Sequence, residues 1–225
     1  MQYRPPAWLP ASEQGRRSDY YGHLRAEVIA AIPDGCATIL DVGCGRGTLG
    51  RWLKENGVRT VLGVELQAAA GEEAKRWLDG VVIGGIEQVD LPWPEGEVDC
   101  IICADVLEHT VDPWKVVAKL KRLLRPGGCI VASIPNVAFH RNIRKMLRGE
   151  WRYAGEGLLD RTHLRFFTFS TIEELFASNG LAIEAVFKKI DAGWNIRLLN
   201  AVLFGYLRHT LYLHYIVRAR LARTS

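Results

Sequence analysis

The sequence alternates short, continuously apolar segments with amphipathic ones, and this alternation restricts the fold more than any other feature. The apolar segments lie at residues 37–42, 59–64, 81–83, 99–103 and 129–134. Several are followed by apolar residues at helical spacing, and such continuous strands are typical of a parallel sheet covered by helices on both faces. The sequence therefore predicts an α/β fold with a doubly wound sheet, because a closed eight-stranded barrel needs roughly 250 residues and the chain has 225.

The rest of the chain adds elements before and after this pattern. A helix is predicted at residues 20–32, and helices also at 139–147, 170–178 and 194–208, with strands at 181–187 and 211–220. No composition shift marks a domain boundary, so we predict one domain over residues 1–225. Within it, residues 1–19 read as a flexible leader and residues 136–168 as an insertion on the substrate side.

Composition narrows the functional class. A formal net charge of +4 and an isoelectric point near 8.8 fall short of a dedicated nucleic-acid-binding domain, so no nucleic-acid partner is expected. The five cysteines are odd in number and lie mostly in apolar segments, which predicts free thiols in a reducing compartment. No signal peptide or spanning segment is recognisable, and we therefore expect a cytoplasmic enzyme.

A glycine-rich turn at residues 41–47 follows the first of these strands. Glycines there let the backbone approach a ligand closely, and the next strand ends at Glu65, whose carboxylate can accept ribose hydroxyls. Residues 45–50 also match the G-x-G-x-x-G pattern of dinucleotide sites. However, the Asp41 carboxylate would repel a pyrophosphate and favours a cationic ligand such as S-adenosylmethionine, which carries a sulfonium and an ammonium group.

At this level the chain resembles the class I S-adenosylmethionine-dependent methyltransferases, from about residue 20 to the end. The motifs that carry the resemblance are ILDVGCGRG at 39–47, VLGVE at 61–65, VDCIICADVLEH at 98–109 and LRPGG at 124–128. The motifs SIPNV at 133–137 and LLDRTHLRFFT at 158–168 resemble a bacterial small-molecule subgroup associated with sugars. The resemblance implies a Rossmann-like sheet of seven strands in the order 3-2-1-4-5-7-6, with the last strand antiparallel.

The resemblance also implies positions for the cofactor-binding residues. These are Gly43, Cys44, Gly45, Cys103 and Ala104 around the methionine part, Glu65 at the ribose and Leu66 against the adenine. One departure is Gly85, because many relatives carry an aspartate there that accepts the adenine amino group. Adenine recognition is then expected to fall to the backbone near Ile86 or to Glu87, with a weaker affinity for the cofactor.

Methyl transfer to an oxygen requires a positioned nucleophile and a base for its proton, and histidine is the natural base near pH 7. The candidates are His109 and His163, with His140 as a third. The pattern Asp105-x-x-Glu108-His109 also resembles divalent-metal methyltransferases of ubiquinone synthesis and small-RNA methylation, in which magnesium orients two substrate oxygens. The alternative is a helix start without metal, and we predict a catalytic site without one.

The sequence therefore predicts O-methylation of a sugar or nucleotide-sugar hydroxyl. The alternatives are an O-methyltransferase of quinone or lipid precursors and a non-catalytic regulatory subunit that binds the cofactor. Arginines on the predicted helix 139–147 suit an anionic substrate or simply a solvated face. Residues 192–225 contain five arginines and no acid, so peripheral membrane contact is one interpretation of this segment and a role in completing the domain is the other.

Overall fold

The computed structural model describes residues 25–188 and 190–221, so the predicted leader and the first residues of the helix at 20–32 lie outside the described residues. The described residues form a seven-stranded sheet in the order β3-β2-β1-β4-β5-β7-β6. The strands are β1 Thr38–Val42, β2 Thr60–Glu65, β3 Gly80–Ile83, β4 Val98–Ala104, β5 Leu124–Pro135, β6 Leu181–Phe187 and β7 His214–Leu221. Strand β7 is antiparallel to both of its neighbours, and the other pairings are parallel. The predicted sheet is confirmed.

Seven α-helices surround the sheet in the described part of the chain. They are α1 Ala26–Ala31, α2 Thr48–Glu55, α3 Ala68–Ala74, α4 Pro113–Lys121, α5 His140–Met146, α6 Phe169–Ala177 and α7 Trp194–Val202. Two core clusters lie on opposite faces, one packed with α1 and α2, the other with α4 and α6. Successive β4 residues alternate between the clusters, with Ile101 in one and Ile102 in the other. The strands are continuously apolar because both faces are covered.

The alternation also separates the cysteines that a C-x-x-C pattern would bring together. Cys100 belongs to one core cluster and Cys103 to the other, and all five cysteines are buried and free. They pack as small apolar side chains. The prediction of free thiols is confirmed.

Several element bounds differ from the sequence prediction. The helix predicted at 194–208 ends at Val202, because Phe204 and Gly205 adopt positive φ angles of 49° and 82° that a helix does not allow. The turn predicted at 125–128 lies inside β5, where a register shift opposite Val98 and Cys100 absorbs the extra residues. No helix among the described residues is both long enough and apolar enough to cross a membrane.

Candidate active site

The carboxyl ends of β1, β2 and β4 meet at one edge of the sheet, and the glycine-rich turn after β1 forms its floor. The N–H groups of Gly43 and Cys44 donate to the Val64 carbonyl at 2.7 and 3.1 Å, which folds the turn against β2. Gly43 has a φ of 75°, and a Cβ added to it would lie 2.9 Å from the Val106 side chain after β4. Only glycine fits this position, so the turn leaves its backbone open toward the edge.

Glu65 connects the turn to the end of β2. Its buried carboxylate accepts hydrogen bonds from the backbone N–H of Gly45 and of Gln67, both at 2.8 Å. Each carboxylate oxygen uses one protein donor and keeps further acceptor capacity, which suits the two hydroxyls of a ribose. The next residue, Leu66, is 72% exposed at the strand end, so an apolar side chain is available to pack against an aromatic base.

Asp41 is the second buried carboxyl of this region. Burial, and next to it the negative charge of Glu65, raise the pKa of Asp41 to about 7. Burial likewise raises the pKa of the Cys44 and Cys103 thiols, which are therefore packing groups and not nucleophiles. Burying two acids side by side is unfavourable, and a cation bound next to them reduces the repulsion between them. Asp41 and Glu65 therefore suit a positively charged nucleoside.

The loop after β3 shows how the chain manages without an aspartate at Gly85. The Glu87 carboxylate accepts from the N–H groups of Val111 and Asp112 at 3.1 and 2.9 Å, and the Ile86 carbonyl accepts from Lys119 Nζ at 2.9 Å. Both groups expected from the sequence to recognise adenine therefore face α4: Glu87 faces the residues before its first turn, and the Ile86 carbonyl faces its last turn. In this structure the Glu87 carboxylate and the Ile86 carbonyl are engaged in hydrogen bonds with α4 and the residues before it. Cofactor contact remains a prediction for both residues.

Gln88 is the residue at this loop that the sequence reasoning missed. A Cβ added to Gly85 would clash with the Gln88 side-chain oxygen and would lie 3.7 Å from Leu66. The backbone N–H of Gln88 donates to the Gly85 carbonyl at 2.9 Å, and this turn folds the side chain back over the glycine. The Gln88 amide therefore occupies the space that an aspartate side chain would need. In the sequence, the signal for Gln88 is a polar residue three positions after the glycine that replaces the usual aspartate.

His109 and His163 come together although 53 residues separate them in the chain. Their ring centroids are 4.7 Å apart in an edge-on arrangement. His109 Nδ1 lies 3.1 Å from the Thr162 carbonyl and His163 Nδ1 lies 3.1 Å from the Leu158 carbonyl. Because a carbonyl only accepts, Nδ1 carries the proton in both rings, and Nε2 of each neutral ring is left as an acceptor. Burial, followed by repulsion from His109, lowers the pKa of His163.

The backbone of Glu108 explains how the histidines meet. Its carbonyl accepts from the N–H groups of Leu164 and Arg165 at 2.8 and 3.0 Å, which fastens the insertion to the loop after β4. The predicted insertion is thus joined by main-chain hydrogen bonds to the loop that follows β4, at the carboxyl edge of the sheet. His140, the third candidate, lies elsewhere, with its Nδ1 3.2 Å from the Thr210 carbonyl.

The Glu108 side chain is 1% exposed, and neither of its oxygens has a hydrogen-bond partner among the described residues. Burial, and after it the charge of Asp105, raise the pKa of Glu108 well above its ordinary value. One ligand atom from each of Glu108, His109 and His163 lies within 4.8 Å of the others. An unpartnered buried carboxyl beside two imidazoles has the donor chemistry of a divalent-cation site.

Asp105, which the sequence pattern groups with these ligands, has other partners. Its carboxylate forms an ion pair with Arg25 and accepts from the Ser133 hydroxyl at 2.9 Å. The candidate ligand set is therefore Glu108 and the two histidines, and the third ligand comes from the insertion. Ser133 also accepts from Arg25 at 2.9 Å, so these three residues form a network of their own.

Comparison with known proteins identifies the family. The family profile described as "Methyltransferase domain" matches residues 14–186 of the 225. The chain belongs to this methyltransferase family. Among curated proteins, it is 30% identical over 138 residues to a probable S-adenosylmethionine-dependent methyltransferase of Mycolicibacterium smegmatis, covering 58% of this chain and 53% of that protein.

Further relatives show both the breadth and the limit of the likeness. A ubiquinone biosynthesis O-methyltransferase of Acinetobacter baylyi is 30% identical over 104 residues, covering 44% of this chain and 43% of that one. A crystal structure of an S-adenosylmethionine-dependent methyltransferase from Mesorhizobium loti superposes with a TM-score of 0.61 at 20% identity, covering 86% and 95% of the two chains. The chain spans between 34% and 53% of the length of the first curated relatives it matches. The predicted family, sheet and cofactor, S-adenosylmethionine, are confirmed.

Proposed function

We propose that this chain is an S-adenosylmethionine-dependent O-methyltransferase that acts on a hydroxyl of a sugar or nucleotide sugar. The observation that carries the proposal is the pairing of His109 with His163, whose rings each leave Nε2 as an acceptor. The pair lies at the same carboxyl edge of the sheet as the glycine turn and Glu65. A base next to a nucleoside site is what transfer to a hydroxyl oxygen requires.

The residues at the carboxyl ends of β1 and β2 would hold the cofactor. Glu65 would accept the ribose hydroxyls, the Gly43 turn would admit the methionine part, and the buried Asp41 would attract its positive charge. When bound, S-adenosylmethionine supplies an electrophilic methyl group on a sulfonium. The chain then has to align a hydroxyl with that methyl group and remove the hydroxyl proton.

The histidine pair would remove the hydroxyl proton. With both Nδ1–H groups fixed on backbone carbonyls, each ring is held in one orientation with Nε2 available to take a proton. A phosphate of the acceptor would find cations on α5, where Arg141, Arg144 and Lys145 are all exposed. A nucleotide sugar combines a hydroxyl with such a phosphate, and this favours it as the acceptor class.

A second candidate function is O-methylation of a quinone precursor or related phenol with the help of a divalent ion. The observation in its favour is the buried Glu108 carboxyl, whose oxygens lack partners among the described residues and lie beside His109 and His163. These three residues would hold the ion, and the ion would lower the pKa of a bound hydroxyl. Relatives named ubiquinone biosynthesis O-methyltransferase point in the same direction.

Cofactor binding is tested first, by calorimetry with S-adenosylmethionine and S-adenosylhomocysteine. We expect both to bind, and we expect Glu65→Gln to weaken binding by roughly 1–3 kcal/mol, because charge-assisted bonds to the ribose are lost. Glu95→Gln is the matched control, since that exposed carboxylate pairs with Arg122 before β4, at the opposite end of the sheet. Equal losses for the two variants would contradict the role of Glu65, and failure of both ligands to bind would contradict the proposal as a whole.

The acceptor is tested by turnover. The chain is incubated with S-adenosylmethionine and two panels, one of free, nucleotide-linked and lipid-linked sugars and one of ortho-dihydroxy phenols. Methylated products are identified by mass spectrometry with and without a chelator. Methylation of a nucleotide sugar that resists the chelator supports the first function. Chelator-sensitive methylation of a phenol supports the second, and cofactor binding without turnover on either panel contradicts both.

A further inference from the structure

The segment between β6 and β7, residues 190–212, protrudes from the sheet and is termed the α7 hairpin. Its helix, α7, has no buried residue in the described part of the chain. The helix and the turn after it expose large apolar side chains, including Trp194 at 79%, Phe204 at 99% and Tyr206 at 86%. The fold does not need these side chains for its own core, and an exposed apolar patch of this kind marks an interaction surface.

The base of the α7 hairpin is firmly attached. Ile190 pairs with Tyr212 in an isolated bridge, and the Asp191 N–H donates to the Leu211 carbonyl at 3.0 Å. From the other side, the fully buried Asn136 amide donates to the carbonyls of His209 and Tyr212, both at 2.8 Å. The hairpin therefore presents its apolar tip on a fixed base. Completion of the domain explains β7 but does not explain the apolar residues of α7.

The charge of the surface identifies the kind of partner. The sequence of the α7 hairpin has one acid, Asp191 at its base, and its arginines Arg197 and Arg208 are both exposed. Helix α5 adjoins the hairpin through the contact of His140 with Thr210, and it adds the exposed cations of Arg141, Arg144 and Lys145 next to the exposed Met146 and Leu147. Apolar and cationic side chains together on short elements are typical of proteins that lie on an anionic membrane surface.

We propose that the α7 hairpin docks on a membrane surface rich in anionic lipid, with Trp194, Phe204 and Tyr206 at the level of the headgroups. Aromatic side chains of this kind favour the membrane–water interface. An open hollow of about 410 Å³ at the turn is lined by Leu203, Phe204, Gly205 and Tyr206 together with Arg208 and His209. A second copy of the chain fits less well, since the same surface would bring its arginines against each other.

The hairpin also faces the same edge as the candidate active site. Pro135 at the end of β5 pairs with His214 at the start of β7, so the hairpin leaves the sheet at the edge that carries the glycine turn. Under the proposed function, on which this one step rests, a membrane-bound chain would act on a sugar hydroxyl of a lipid-linked molecule and not on a soluble nucleotide sugar. Membrane binding itself does not depend on that function.

The test is co-sedimentation of the full chain with vesicles of phosphatidylcholine alone or mixed with phosphatidylglycerol. We expect binding to the mixed vesicles that falls at high salt, and a loss of about tenfold or more in Trp194→Ser/Phe204→Ser, because two apolar anchors are removed. Arg197→Gln/Arg208→Gln should weaken the preference for anionic vesicles, because the cations of α5 remain. The matched control is Arg76→Gln/Trp77→Ser, which removes an exposed arginine and a partly exposed tryptophan after α3 and should bind like the original chain.

Each variant is also checked for S-adenosylmethionine binding by calorimetry, which separates loss of the surface from loss of the fold. No binding of the original chain to mixed vesicles, or equal binding by the Trp194→Ser/Phe204→Ser variant, would overturn the proposal. So would sedimentation velocity that shows a dimer dispersed by the same variant, because the occupant of the surface would then be a second copy of the chain.

Discussion

The carboxyl edge of the sheet has two parts that are built in opposite ways. At the ends of β1, β2 and β4, acidic groups are buried: Glu65 accepts from the backbone of Gly45 and Gln67, and Glu108 has no hydrogen-bond partner among the described residues. At β5, β6 and β7, large apolar side chains are exposed and cations surround them, with Phe204 as the extreme case. The inner part is shaped to hold one small charged ligand, whereas the outer part presents a broad surface. The proposed cofactor site and the proposed membrane-binding surface would therefore lie next to each other on one edge.

The two parts meet at His109 and His163, and the largest expected effect is at this junction. Replacing His163 by Asn should lower turnover by about 10²–10⁴-fold, because the base for the acceptor hydroxyl is lost. His109→Asn should lower turnover to a similar extent or less, and cofactor affinity should remain unchanged in both. Rates of S-adenosylhomocysteine release on the acceptor found by panel screening measure the effect.

His140→Asn is the control for this prediction, since that ring contacts Thr210 and lies outside the histidine pair. A large loss of turnover in His140→Asn with none in the other two variants would indicate that the base lies in the outer part and not at the junction. A loss of cofactor affinity in His163→Asn would instead assign the insertion to the inner part.

The next largest effect tests the cost of burying Asp41 in the inner part. Its pKa is raised to about 7 in the folded chain, against about 4 in an unfolded chain. The folded state therefore binds the proton more tightly, so its contribution to stability is present below about pH 4 and is lost as the pH rises to about 7. The difference amounts to at most about 4 kcal/mol.

Urea unfolding of the original chain and of Asp41→Asn, each at pH 5 and at pH 8, isolates this contribution. The stability of the original chain should fall relative to that of the variant as the pH rises. A constant difference between the two would show that Asp41 is not destabilised by its surroundings.

The smallest expected effect concerns the adenine end of the inner part. If Gln88 takes the place of the aspartate absent at Gly85, Gln88→Ala should weaken cofactor binding by about 0.5–1.5 kcal/mol through loss of one hydrogen bond. Gly85→Asp alone should also weaken binding, because its side chain clashes with Gln88. The double variant Gly85→Asp/Gln88→Ala should bind at least as well as the original chain, as calorimetry would show. Additive losses in the double variant would contradict this exchange.

Much of the inner part could be predicted from the sequence because its partners are close along the chain or on adjacent strands. The glycine turn and Glu65 belong to neighbouring βα units, and their order fixes their meeting once the sheet is parallel. The order and direction of the strands followed from the resemblance, and the structure confirms them. The buried strands were visible because both faces exclude water.

The outer part and the junction could not be predicted in the same way. His163 is brought to His109 by hydrogen bonds from the backbone N–H groups of residues 164 and 165 to the Glu108 carbonyl. Every residue type can form such backbone bonds, so the sequence pattern does not predict them. The end of α7 depends on a positive φ at Phe204, a conformation that aromatic residues seldom adopt. The Gln88 side chain lies in the space that Gly85 leaves because it has no side chain. That space depends on the three-dimensional shape of the loop and cannot be derived from the spacing of residues in the sequence.

The buried Asn136 gives the two parts of the edge a shared mechanical frame. Its amide holds the base of the α7 hairpin, its N–H donates to the Leu213 carbonyl at 2.9 Å, and it lies opposite Phe167 at the end of the insertion. A hairpin fixed to a bilayer would therefore fix the orientation of the catalytic edge as well. An acceptor diffusing within that bilayer would meet the edge by a search in two dimensions instead of three, which raises its local concentration without any new contact in the active site.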